Sequence, residues 1–145
     1  MLDKLLTEEG RRRAAWILRN AGFEVDIEPE PPILEGNELS EYELSLFDEV
    51  EMLLYADEYE RAYEVAMVAV RDLIRKGRFR SALYVCQMVG DEVVRREILK
   101  RGVLFYESRG DFKNAMEFAW ALGDVERAKI YKKLYELSKI REPSE

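Results

Sequence analysis

One segment of the chain occurs twice in matched register, and any fold proposed for it has to accommodate both copies. Residues 77–91 read Gly-Arg-Phe-Arg-Ser-Ala-Leu-Tyr-Val-Cys-Gln-Met-Val-Gly-Asp, and residues 110–124 read Gly-Asp-Phe-Lys-Asn-Ala-Met-Glu-Phe-Ala-Trp-Ala-Leu-Gly-Asp, an offset of 33. A period between about 20 and 50 residues marks arrays in which each unit buries its apolar face on the next. Glycine ends a helix because it enters the left-handed region without a Cβ clash. Aspartate starts the next helix because its carboxylate accepts from free amides in the first turn. Between these signals Phe79, Ala82, Leu83, Cys86 and Val89 recur at helical spacing, as do Phe112, Ala115, Met116, Ala119 and Leu122. Each copy predicts a short helix of about three turns. Ala82 and Ala115 are small where two helix axes must approach closely, and Asp91, Asp111 and Asp124 read as caps.

The remaining chain extends the helical pattern. Residues 2–20 predict a helix stopped at Gly22, with Gly10 weakening its middle by about 1 kcal/mol. Arg11, Arg12 and Arg13 form a basic band, read either as a phosphate contact or, in preference, as a solvated face paired with nearby acids. Phe23–Glu28 alternates as an extended segment would, and the prolines at 29, 31 and 32 stop regular structure. This arm either lies on the helices or pairs with a second copy, and the first is the preferred expectation. Ser40-Glu-Tyr-Glu43 is a capping box that opens a helix to Tyr55. Asp57-Glu-Tyr-Glu60 restarts a helix to Lys76 carrying Tyr63, Ala66, Met67, Val70, Leu73 and Ile74, with Tyr59 and Ala62 standing in for Phe79 and Ala82. Further helices are expected from Glu92 to Arg109 and from Val125 to Ile140. The fold class is all-α, with about seven helices in antiparallel helix–turn–helix pairs. A single domain is expected: 1–37 as helix and proline-rich arm, 38–140 as the array, 141–145 as a frayed tail.

Gly-Asp-Phe-x-x-Ala at 110–115 resembles the helix–turn–helix corner of tetratricopeptide repeats, and Tyr106 suits that family's first helix. Gly-Asp closing each short helix resembles the related α-solenoids of coat and transport complexes. The resemblance spans roughly residues 57–140. It implies a TPR-like right-handed superhelix and a scaffold role. It carries over no ligand-binding residues, because no set of Lys and Asn matches a clamp for a partner's carboxylate. The second helices are shorter than the family's, no proline closes a repeat, and Gly102 stands where a large apolar residue is usual.

Composition narrows the chemistry. The chain has no histidine, which removes Ser–His and Cys–His nucleophile pairs and every histidine-containing metal site. Its one cysteine, Cys86, excludes an internal disulfide and a cysteine-only zinc site, and is expected to pack beside Ala82 and Val89. Phosphate-loop and dinucleotide-binding motifs are missing as well. The expectation is therefore a non-enzyme with no catalytic, cofactor or metal residues. No apolar run reaches the length of a membrane span and the charged N-terminus is unlike a signal peptide, so a cytoplasmic protein without membrane contact is expected. Charged residues make up 37% against one Gln, three Asn and one Thr, a balance that suits a thermophile source.

Charge order is the strongest functional clue. Residues 20–60 hold fourteen Asp or Glu and no Lys or Arg, while all 23 basic residues lie elsewhere. Three explanations follow: internal pairing, an acidic surface for a basic protein partner, or basic repeats that bind nucleic acid. The preferred one is the protein partner, with Glu41, Glu43 and Glu49 as its acidic surface and Trp120, whose first-copy counterpart is Gln87, as an apolar anchor. The nucleic-acid alternative would use Arg75, Arg78, Arg80, Arg95, Arg96 and Lys100, although a pI near 4.9 weighs against it. A homodimer through the 23–28 arm is a further expectation.

Overall fold

The computed structural model describes residues 5–36 and 38–140. These form seven helices and no strand: α1 (Glu8–Asn20), α2 (Glu41–Tyr55), α3 (Tyr59–Arg75), α4 (Phe79–Val89), α5 (Glu92–Arg109), α6 (Phe112–Leu122) and α7 (Val125–Ile140). The all-α expectation holds. By contact density the chain divides into two compact units, one drawn from 1–35 and 100–145 and the other from 36–99.

The helices reverse direction through a corner that recurs three times. Asp57, Gly77 and Gly110 adopt φ of 59°, 76° and 75°. The next residues, Glu58, Arg78 and Asp111, take φ/ψ of −92/68°, −97/67° and −85/75°. At each corner the left-handed residue donates to a carbonyl three back, Leu54, Ile74 or Glu107, at 2.9–3.1 Å. Its successor donates five back, to Leu53, Leu73 or Tyr106, at 2.8–2.9 Å. These paired bonds satisfy carbonyls that a helix end leaves without partners. Ala62, Ala82 and Ala115 then donate to the corner residue and are fully buried. A larger side chain there would hold the two helices apart. The opposite ends of the short helices also match. Gly90 and Gly123 have φ of 74° and 89°, and Asp91 and Asp124 cap the next helices through Val94 and Arg127 amides at 3.0 and 3.2 Å. Asp111 does the same for Asn114 at 3.3 Å, so all three aspartates are caps as expected.

The buried stripes of α4 and α6 coincide as well. Phe79, Ala82, Val85 and Cys86 are buried on one, and Phe112, Ala115, Phe118 and Ala119 on the other. Leu83 and Met116, expected in the core, sit half-buried at the edge of this stripe.

In the 36–99 unit α2 packs on α3 and α4, and α3 on α4. Ser40 caps α2 with the capping box read from sequence: its Oγ accepts from the Glu43 amide at 3.1 Å, and Glu43 Oε1 accepts from the Ser40 amide at 2.8 Å. Two tyrosines depart from expectation. Tyr59 does not mimic Phe79: it is 61% exposed against 4%. Tyr63 is exposed rather than buried, because its hydroxyl donates to Asp91 at 2.5 Å and holds the ring at the surface.

In the other unit α6 and α1 both pack on α7. Helix α1 starts at Glu8, capped by the Thr7 hydroxyl at 3.0 Å, rather than at residue 2. Residues 2–4 of the expected helix lie outside the described residues. Gly10 therefore falls in the first turn, and its missing Cβ makes room for Glu107, whose Oε2 would lie 2.6 Å from that Cβ. Glu107 is fully buried, accepting from the Thr7 amide at 2.6 Å and the Tyr131 hydroxyl at 2.5 Å. Burial first, and then that bond to the Glu107 carboxylate, push the Tyr131 phenol well above its usual range. Residues 30–35 lie on their own chain. Glu30 donates to the Arg12 carbonyl at 3.0 Å, Ile33 to Arg109 at 2.8 Å, and the Glu35 amide to Asp111 at 3.3 Å. Arg13 clamps it, donating to the Pro31 carbonyl and to Ser108 at 3.1 Å, while Arg12 pairs with Glu8 at 2.9 Å. Arg12 and Arg13 are thus engaged within the chain, and Arg13 packs on residues 30–35 instead of forming the solvated face that was preferred.

Gly102 is explained by a close approach. A Cβ there would clash with the buried Phe118 ring. Gly102→Ala is expected to cost about 1–3 kcal/mol through overpacking. Asp57→Gly is expected to stabilise by about 0.5–1 kcal/mol, because it relieves the one left-handed non-glycine residue among those described. Urea unfolding midpoints at constant slope check both signs.

Candidate functional site

Helix α2 carries part of the acidic segment, and its glutamates divide into two chemistries. Glu41 and Glu49 are exposed. Glu43 is not a surface residue, contrary to its assignment to the partner-binding face, because its side chain turns inward at the α2–α4 junction. There Arg78 grips it with two bonds of 2.9 Å, from Nε to Oε2 and from Nη2 to Oε1, and Ser81 Oγ donates to Oε2. Arg78 also donates to the Glu38 carbonyl at 2.9 Å. Burial alone would raise the Glu43 carboxyl, but the Arg78 guanidinium, the Ser40 amide and the Ser81 hydroxyl together hold it down to about 2.

Three grooves open around these helices. One, of about 400 Å³ between α2 and α4, is lined by Leu39, Leu44, Phe47, Tyr84 and Met88, with Asp48, Glu51 and Arg80 among its polar residues. Phe47 and Tyr84 meet edge to face at 4.8 Å and form part of its wall. A second, of about 390 Å³ between α2 and α3, is lined by Tyr42, Leu46, Val65, Val68 and Ala69 with Glu49 and Glu64. The third, of about 780 Å³, is lined by Leu54, Tyr59, Tyr63, Met88 and Val89 with Glu60 and Glu64. Glu64 lines both of the last two. Neither contains a Lys or Arg.

The basic residues proposed for nucleic acid have other engagements. Arg78 is held by Glu43, Arg75 lies 3.5 Å from Asp72, and Arg95 pairs with Glu92 at 3.0 Å. Arg80 lines the α2–α4 groove. Arg96 and Lys100 are exposed one turn apart on α5. Trp120, on α6, is 45% exposed.

Part of the charge split is internal. Glu43–Arg78, Glu30–Arg13 at 3.9 Å and Glu58–Arg61 at 4.0 Å join the acidic segment to basic residues outside it. Of the glutamates that line these grooves, sequence reasoning named Glu49 and not Glu60 or Glu64, and it placed Tyr63 on the apolar stripe. Tyr59 and Tyr63 border the buried stripe of α3, so helical spacing alone places them in it, while Glu60 and Glu64 lie one position further round. Comparison with family models, curated proteins and solved structures found no match for this chain. Among the described residues no helix is long and apolar enough to cross a membrane.

The Glu43 cluster predicts an acid-sensitive contribution to folding. Because the folded carboxyl is held near 2 and the unfolded one near 4.5, the stabilisation is complete above about pH 5 and disappears as pH falls toward 2. Its ceiling is about 3 kcal/mol at neutral pH. Glu43→Gln is expected to lower the unfolding midpoint at pH 7, and the gap to the unaltered protein is expected to narrow between pH 5 and 2.

Proposed function

We propose that this chain is a non-catalytic helical adaptor that captures a protein with a basic surface through its α2–α3 region. The observation that carries this reading is the pair of grooves bordered by Glu49, Glu60 and Glu64, apolar in their lining and without a basic residue. Clefts of that composition suit a partner that supplies both apolar side chains and positive charge. Exposed Tyr42, Tyr55, Tyr59 and Val68 add apolar area at the same helices. The three matching corners support reading the helices as tetratricopeptide-like pairs, an architecture that presents preformed surfaces and lowers the ordering cost of binding. Trp120 offers a separate anchor on α6. A cytoplasmic setting suits the buried free thiol of Cys86, which burial, ahead of its neighbouring carboxylates, makes harder to ionise. Nucleic-acid binding is the weaker reading, since Arg75, Arg78 and Arg95 already face carboxylates.

Affinity capture from lysate of the source organism, with and without nuclease, tests the proposal. A partner is expected to survive nuclease and to be lost when Glu41 and Glu49 are reversed to Lys, with helicity unchanged by circular dichroism. Capture indifferent to that reversal would remove the acidic surface from the account. Recovery that collapses with nuclease would shift the assignment to the arginines.

A further inference from the structure

The N-terminal segment of the chain, to Glu35, is held by residues far downstream of it. Near its start the Leu5 carbonyl accepts from Arg127 Nε at 3.3 Å, and the Thr7 amide donates to buried Glu107 at 2.6 Å. Helix α1 packs on α7, and Arg13 Nε donates to the Ser108 carbonyl at 3.1 Å. At its end residues 30–35 pass over the α5–α6 corner. There the Ile33 amide donates to the Arg109 carbonyl at 2.8 Å, the Glu35 amide to Asp111 at 3.3 Å, and the Tyr106 hydroxyl to Glu35 Oε1 at 2.9 Å. The fit is also steric: a Cβ on Gly110 would lie 3.1 Å from Pro32 Cβ and 2.7 Å from Arg13 Cβ. Segment and seat belong to one compact unit, while residues 36–99, which lie between them in sequence, form the other. The joint is short. Glu35 is bonded on one side and the Glu38 carbonyl accepts from Arg78 at 2.9 Å on the other, which leaves two residues, Gly36 and Asn37, between fixed points. Gly36 is exposed, and a Cβ there would meet nothing within 4 Å.

We propose that two copies of this chain associate by exchanging their N-terminal segments, each segment seating on α7 and the α5–α6 corner of the other copy. Exchange keeps every bond described above, so the pair needs no dedicated surface, and the occupant each seat selects is the one it already holds. What decides between the closed monomer and the exchanged pair is the joint. A two-residue joint between bonded ends is of the kind that promotes exchange, since any strain in closing it is relieved when it opens straight. The opposing factor is effective concentration, on the order of 1 mM for a segment on a short flexible joint and near zero when the joint cannot span. Exchange takes place during folding, before the segment is seated. Afterwards it is blocked, because withdrawal would strip Glu107 of the Thr7 amide and expose buried Ala14, Ala15 and Ile17. This association differs from strand pairing through residues 23–28, which would need a new edge contact, and it does not rest on the adaptor reading.

The test is to refold the full chain from urea at about 10 µM and at about 1 mM, below and near the effective concentration of the joined segment, and to read its mass by sedimentation velocity. Monomer is expected from the first, and from the second a dimer that reverts slowly on dilution. Deleting Gly36 and Asn37 is expected to lower the concentration needed for the dimer by about tenfold or more. Putting a run of Gly and Ser residues in their place is expected to undo that gain. In the shortened chain Tyr106→Phe, which keeps the ring and removes only the hydroxyl, is expected to weaken the dimer several-fold, and Arg13→Ala about tenfold or more. Monomer alone from the unaltered chain at about 1 mM overturns the proposal. So does a shortened chain that stays monomeric. A dimer whose strength ignores both joint length and the two substitutions places the contact on another surface and likewise overturns the exchange.

Discussion

A chain that reverses direction within three residues must satisfy the helix-end carbonyls, accept one left-handed residue and let two helix axes approach. The recurring corner meets all three demands together. The left-handed residue and its successor supply the donors for the preceding helix. The buried alanine four or five residues on supplies the clearance. Each part depends on the others: without the alanine the helices separate, and without the left-handed residue the backbone bonds cannot form. Asp57 shows that the geometry outranks residue preference, since it holds φ 59° where the other two corners use glycine. Its neighbour Tyr59 bonds back to it and occupies the surface instead of the core. The same substitution that weakens the corner thereby exposes an aromatic ring on α3.

Buried carboxylates provide the longer ties. Glu43 joins the start of α2 to the start of α4, and Glu107 joins the approach to α1 to α5 and α7. Each is fully engaged, and no buried side-chain oxygen or nitrogen among the described residues lacks a partner. Burying an ion without such partners would cost several kcal/mol, about the whole margin of a small domain's stability. These ties therefore select one arrangement of helices: a shifted register would leave Glu43 or Glu107 without its donors. Glycine at position 10 belongs to the same device, since any Cβ would occupy the Glu107 carboxylate's place.

Most of the helices, the caps at Ser40, Asp91, Asp111 and Asp124 and the irregular proline stretch were legible because they follow from local rules: periodicity, Gly-Asp stop–start signals, a capping box and a proline run. The inward turn of Glu43 was not, although the capping box was read correctly. A capping-box glutamate is ordinarily exposed, and only the approach of α4 brings Arg78 and Ser81 to it. The same holds for Gly10 and Gly102, whose costs in helix propensity have no local compensation; the reasons lie in Glu107 and Phe118, both distant in sequence. Tyr63 was misplaced because helical spacing alone assigns it to the apolar stripe. Its exposure depends on Asp91, which lies beyond the next helix.

That last contact also ties α3 to the start of α5: the Tyr63 hydroxyl donates to Asp91, and this bond raises the phenol above its usual pKa. The tether draws on a carboxylate already committed to capping α5 through the Val94 amide. A structural cap thus serves a second purpose at no cost in additional buried charge.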